Sequence, residues 1–246
     1  MSDKEKINKP DEASAVGTPH LNDRRSFLKM GGTGIAALAL GGAAGTASKV
    51  MAAGESPAVM QQQTINLGTG DTGIGNYAYL LEQLEADFYI RVVANGFFAG
   101  ATAEERQLLT DIRDHEIIHR ELFRVFLGTN AIPRIPAFDF SLVNFNDRDS
   151  VLTISQILED TGVTAYNGAA QHIQSTDILV LAGKIVSVEA RHAAAIRDLR
   201  IPRNGFFAPH PEDVINDFIT VLNLAAPFIP RTVTVNASGL PRRIEV

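Results

Sequence analysis

Two short patterns in this chain have the residue types and spacing to hold a metal ion: Glu116-Ile117-Ile118-His119 and Glu189-Ala190-Arg191-His192. Residues three apart on a helix share a face. Each pattern therefore aims one carboxylate and one imidazole at the same point. One copy alone carries little weight, because six histidines can produce the spacing by chance. Two copies, each on the apolar stripe of its helix, carry more. An unpaired carboxylate is costly to bury, so a Glu–His pair on such a stripe needs a partner. The chain has no cysteine, which excludes disulfides, thiolate zinc sites, a catalytic thiol and iron–sulfur ligation together. Any metal must sit on oxygen and nitrogen donors, a set that suits iron or manganese. The competing reading is that each Glu–His pair satisfies itself by hydrogen bonding or faces solvent.

Four helices must position these groups. The first is expected over residues 76–94, with Leu81, Leu84, Phe88 and Val92 as its stripe and Gln83, Asp87 and Arg91 opposite. Asn95-Gly96 reads as its left-handed cap. The second opens on Thr102-Ala103-Glu104-Glu105, a capping-box pattern, and stops at Gly128. Its broad stripe takes in Leu108, Ile112, His115, His119, Leu122 and Phe126, with Glu116 and Phe123 on the inward side. Residues 129–149 contain Pro133 and Pro136 and no period. A connector of that length needs a reason. A crossover supplies one: a helix of about 26 residues is roughly 39 Å long, which some twenty extended residues can cover. The third helix would then start parallel to the second. It is expected over 150–173 and the fourth over 176–199, antiparallel neighbours across Gln174-Ser175. The fold class is thus all-α, a four-helix bundle over 76–200 preceded by a linker (54–75) and followed by a C-terminal extension (201–246). In that extension, 211–224 reads as a short amphipathic helix and Thr232 to Val235 as a strand.

Two more carboxylates are needed to close a two-metal centre. The third helix offers Glu159, since Asp160 falls on its polar face with Gln156 and Asn167. The first offers Glu82 and Glu85. Helical period alone favours Glu85. An internal repeat favours Glu82: Leu80-Leu81-Glu82 with Tyr89 matches Ile157-Leu158-Glu159 with Tyr166, and Glu85 then aligns with Gly162, which has no ligand atom. We follow the repeat. Tyr89 and Tyr166 are placed to donate hydrogen bonds to the site, or simply to pack in the core. His115 reads as a core histidine or an extra ligand, and His20, His172 and His210 as surface residues.

Residues 76–200 resemble the ferritin-like proteins, in particular the branch of exported bacterial ferritin-like and plant desiccation-related proteins. The resemblance lies in Leu-Glu-Gln-Leu-Glu-Ala-Asp-Phe-Tyr from Leu81, Asp-His-Glu-Ile-Ile-His from Asp114, Glu-Asp-Thr-Gly-Val-Thr-Ala-Tyr from Glu159 and Glu-Ala-Arg-His from Glu189. It covers half of the chain. It implies a pair of iron (or manganese) ions on Glu82, Glu116, His119, Glu159, Glu189 and His192, with dioxygen or peroxide as the reaction partner. It does not imply one reaction, because the superfamily includes iron storers, oxidases, peroxidases and catalases. An oxidoreductase of ferroxidase or peroxidase type is one expectation. A stress-protective or envelope-binding module without redox chemistry is the other. Iron storage would require a hollow homo-oligomer, which the sequence neither demands nor excludes.

The first 53 residues read as an address. Arg24-Arg25-Ser26-Phe27-Leu28-Lys29 is similar to a twin-arginine export motif, with Asp23 where Ser or Thr is usual. A Gly/Ala/Leu run follows to about Ala47, then small residues to Ala53, with cleavage expected after Ala52. The run is also close to the shortest span that crosses a bilayer, roughly 17–20 residues, so an uncleaved anchor is the alternative. Export to the periplasm or beyond is expected, with membrane contact through this segment only. The formal net charge is −6 and no Lys/Arg cluster tracks a phosphate backbone, so no nucleic-acid partner is expected.

Overall fold

The computed structural model describes residues 62–203 and 206–242. The expected export signal (1–53) and the first part of the expected linker (54–61) lie outside these residues. A short strand, β1 (Gln63–Asn66), leads into helix α1 (Gly70–Val93). A short helix α2 (Gly96–Gly100) then turns the chain into α3 (Ala103–Leu127). After the crossover come α4 (Arg148–Ala170), α5 (Thr176–Arg200), a short α6 (Phe218–Ala225) and strand β2 (Val233–Asn236). The described part is therefore an all-α bundle of α1, α3, α4 and α5, with one small sheet. None of its helices is long and apolar enough to cross a membrane.

Local chemistry fixes most helix starts. Thr102 and Glu105 form the reciprocal capping box expected of them, and the side chains of Asp147, Ser175 and Asp217 accept from backbone N–H groups at the starts of α4, α5 and α6. α1 is different: it begins at Gly70, not at Asn76. Its first turns contain Gly70, Gly73 and Gly75, poor helix formers that hide the period. Tertiary contacts hold them instead. The Asp71 carboxylate accepts from the backbone N–H of Gln174 and Ser175, and a Cβ on Gly73 would collide with the backbone of Gly68. The expected left-handed cap at Asn95-Gly96 is also absent. Asn95 is extended, its side-chain amide donates to Arg91 O, and Gly96 opens α2, where a Cβ would strike Asn146.

The crossover is where the sequence placed it. Asn76 pins the start of its path, donating to Asn130 O and accepting from Ile132 N. Farther along α1, Gln83 accepts from Ile135 N and Arg91 lies against Phe138 O. The segment thus climbs α1 from its N-terminal to its C-terminal end. There Arg148 at the start of α4 pairs with Glu105 at the start of α3 and donates to Leu199 O near the end of α5. α3 and α4 therefore run parallel, and α1–α3 and α4–α5 are antiparallel pairs. This path corrects the expected polar face of α1. Gln83 is only 2% exposed, because the crossover covers it. The expected stripe on α3 shifts too: Leu109, Ile112, Glu116, His119, Phe123 and Leu127 are buried, while His115 and Phe126 are exposed.

The extension folds back on the bundle. Asn216 donates from its backbone to Thr164 O and from its side chain to Thr164 Oγ1, which fixes residues 211–217 as an irregular strap; only 218–225 is helical, shorter than expected. β2 pairs in parallel with β1, Gln63 facing Val233 through to Asn66 facing Asn236. β2 starts one residue later than expected, and β1 falls in what the sequence presented as linker.

Candidate metal centre

Four helices bring six side chains to the middle of the bundle. α1 supplies Glu82, α3 supplies Glu116 and His119, α4 supplies Glu159, and α5 supplies Glu189 and His192. All six are buried, and the four glutamates are 0% exposed. Their ligand atoms form two overlapping groups. Glu82, Glu116, His119 and Glu189 make one, and Glu116, Glu159, Glu189 and His192 the other, each with its atoms within 4.8 Å of one another. Glu116 and Glu189 belong to both. Glu116 turns Oε2 toward His119 Nδ1 (3.6 Å) and Oε1 toward His192 Nδ1 (2.9 Å). Glu189 turns Oε1 toward His119 Nδ1 (2.7 Å) and Oε2 toward His192 Nδ1 (3.3 Å). Each shared carboxylate therefore spans both groups with one oxygen apiece.

The two unshared glutamates are held from the opposite helix pair. Tyr89 on α1 donates to Glu159 Oε1 and Tyr166 on α4 donates to Glu82 Oε1, both at 2.5 Å. Both tyrosines are buried and have a pKa well above the ordinary phenol value, through burial first and then the neighbouring carboxylates. Each unshared glutamate keeps its other oxygen free: Glu82 Oε2, Glu159 Oε2, both oxygens of Glu116, Glu189 Oε1 and His119 Nδ1 are buried without a well-formed hydrogen bond. His119 Nδ1 and Glu189 Oε1 are 2.7 Å apart, but their alignment is not that of a hydrogen bond. Six orphaned acceptors and donors in one cavity would be costly in a closed apolar core. A cation that takes these lone pairs removes that cost, so the residues present fit a metal pair.

The metal-free cluster is strongly polarised. Burial and then Glu189 push the Glu116 carboxyl up to about 8. Burial also works against Glu189, but the His119 and His192 imidazoles beside it outweigh burial and bring that carboxyl down to about 2. Burial likewise opposes protonation of His192, yet Glu159, Glu116 and Glu189 hold its pKa up to about 12. His119 is raised further by Glu116, Glu189 and Glu82. Without metal, two imidazolium ions neutralise part of the carboxylate charge.

Glu85 lies beside the centre but in neither group. It is buried and its carboxyl is held well above the usual range, by burial and then by Glu116, Glu189, Glu159 and Glu82. Its Oε1 would lie 3.1 Å from a Cβ on Gly162, so the glycine that the repeat aligns with Glu85 leaves room for it. His115, expected in the core or as an extra ligand, is in neither group. It is exposed, yet its Nδ1 lies 2.9 Å from His192 Nε2. Its proximity in sequence to Glu116 gave no signal of that contact, which depends on how α3 and α5 are rotated.

Compared with models of known families, residues 70–201 match the ferritin-like domain. The match spans more than half of the chain, and the chain belongs to that family. A comparison with curated proteins finds no match.

Proposed function

We propose that this ferritin-like chain is an exported dimetal-carboxylate protein that binds two iron (or manganese) ions and works in iron handling or protection from oxidants. The observation that carries the reading is the sharing of Glu116 and Glu189 between the two groups, one oxygen to each side. Sharing of that kind serves two cations close together and has no use for one. Glu82 with His119 and Glu159 with His192 would complete the two ligand sets. When bound, such a pair of ions supplies electrons to dioxygen or peroxide. The chain's own part is to bind, orient and insulate. Tyr89 and Tyr166 fix the unshared carboxylates by hydrogen bonds that leave the second oxygen free. The surrounding core keeps bulk water away from the cluster. The absence of cysteine leaves no thiolate electron-transfer centre within the chain.

Anaerobic reconstitution followed by elemental analysis tests the reading: about two iron or manganese ions per chain are expected. A fully stable protein that takes up only zinc, or nothing, would favour a stress-protective or envelope module without redox chemistry. Export by the twin-arginine route is the second half of the reading, and it suits a protein that folds and takes its metal before it crosses the membrane. Arg24→Lys with Arg25→Lys should strand the folded protein in the cytoplasm. Normal export of that double variant would refute the route and leave the metal centre untouched.

A further inference from the structure

The duplicated centre is not symmetric at its outer edge. His192 turns Nδ1 to the carboxylates of Glu116, Glu159 and Glu189, while its Nε2 meets Nδ1 of His115 at 2.9 Å. The two rings are nearly parallel, 14° apart with centroids at 5.2 Å. His119 has no such support: among the described residues no side chain hydrogen-bonds its Nε2, and the His115 ring stands 6.5 Å away. Two ring nitrogens at 2.9 Å share one proton, one donating and the other accepting. A His192 that offers the lone pair of Nδ1 to a cation carries its proton on Nε2. His192 is then the donor and His115 Nδ1 the acceptor. We propose that His115 is a positioning residue that fixes the tautomer and ring plane of His192, and so makes the Glu116–Glu159–Glu189–His192 group the tighter of two divalent-cation sites. The two sites fill in order, His192's side first.

Outer partners of a ligating imidazole typically change metal affinity by about 10–100-fold. The inference rests on the dimetal reading, and the test separates the two. Metal-free full-length protein is titrated anaerobically with ferrous iron in a calorimeter, as wild type, His115→Phe and His115→Asn. The asparagine carbonyl oxygen stands where His115 Nδ1 stood and still accepts. Two resolved steps are expected for the wild type. His115→Phe should weaken the first step by about tenfold or more and leave the second unchanged, and His115→Asn should restore most of the loss. Nitrogen-15 spectra of the zinc-loaded protein should show the His192 ring with a fixed Nε2–H in the wild type and His115→Asn, and not in His115→Phe. All three metal-free proteins should fold, because His115 itself is exposed; His115→Asn should melt with the wild type, and His115→Phe somewhat lower for want of an acceptor for the His192 Nε2–H. A wild type that binds no metal overturns the dimetal reading and this inference with it. A wild type with two steps, both unchanged in His115→Phe, overturns this inference alone. So does an equal loss in the Phe and Asn variants, which would mark His115 as packing.

Discussion

The centre is built from two half-sites, α1 with α3 and α4 with α5, and they repeat each other in chemistry and differ in surroundings. Each half brings one unshared glutamate, one shared glutamate and one histidine, and each lends a tyrosine to the other half's unshared glutamate. Around that repeat little is equal. α1 is covered on its outer side by the crossover, whereas α5 buries only a narrow stripe of Ala182, Ile185, Glu189, His192, Ala193 and Ile196. Tyr89 packs edge-on against Phe88, with Phe140 and Phe145 behind it. Tyr166 instead borders an apolar cavity between Ala78, Leu81, Phe123 and Ala182. Glu85 on one side faces a glycine on the other. The contrast shows which features the shared chemistry demands and which it leaves free: ligand types and reach are duplicated, but burial and access are not.

The largest expected effect tests the sharing. Glu116→Ala or Glu189→Ala should lose both metals and keep the helical fold, whereas Glu82→Ala or Glu159→Ala should lose one, and Glu85→Ala none. Metal content and circular dichroism read this directly. Removing one carboxylate from a crowded cavity should leave the metal-free form at least as stable, while the metal-dependent gain disappears. An equal and large destabilisation of the metal-free protein by all five variants would make these glutamates structural hydrogen-bonding groups.

The next effect is on pH. The folded pKa of Glu116 (about 8) and of His192 (about 12) both exceed the ordinary values. Their stabilising contributions are full below the unfolded pKa, roughly 4.5 and 6.5, and fade as pH rises through the folded values. Glu189 has the opposite sign, and its contribution is lost only as pH falls from the ordinary carboxylate range toward 2. The metal-free protein should therefore melt at a lower temperature at about pH 8.5 than at about pH 5.5. Metal displaces protons from the histidines, so binding strengthens with pH. The gap between manganese-loaded and metal-free melting temperatures should widen over the same range. A gap that narrows would mean that the imidazoles are not protonated in the empty centre.

Two smaller effects probe the surroundings. Gln83→Ala on α1 strands the buried Ile135 N–H and should cost about 1–3 kcal/mol. Ser187→Ala on the exposed face of α5 should stay within about 0.5 kcal/mol. Equal costs in denaturant melts would erase the difference between covered α1 and open α5. Smallest of all is the Glu85–Gly162 contact. Gly162→Ala gains helix propensity but crowds Glu85, so its effect should be near zero in the wild type and favourable by about 1 kcal/mol in a Glu85→Ala background. Additive effects would separate the two residues.

Much of this arrangement was legible because helices convert spacing into geometry. The capping box at Thr102, the two Glu-x-x-His patterns and the length of residues 129–149 each carried a physical consequence that reappears in the fold. The repeat that set Glu82 beside Glu159 located the glutamates that now stand in the two groups, and it paired Glu85 with the glycine that faces it. What stayed hidden depends on contacts between distant segments. The first turns of α1 owe their helix to Asp71 meeting the α4–α5 connection, not to propensity. Gln83 looks solvent-facing until a crossover more than fifty residues away lies over it. The His115–His192 contact follows from helix rotation, which a period fixes only to within one neighbouring position.

The pairing of β1 with β2 sets an order of events. Gln62 and Thr234, hydrogen-bonded across the small sheet, are 172 residues apart. Contacts so remote in sequence form late, because the whole intervening loop must be ordered first. On a ribosome, the four bundle helices are complete before Val233 is even made. The strand that precedes α1 thus waits, unpartnered, through the synthesis of everything it will border. A chain cut before Thr232 would retain every ligand of the centre yet leave β1 an open edge, prone to recruit another chain.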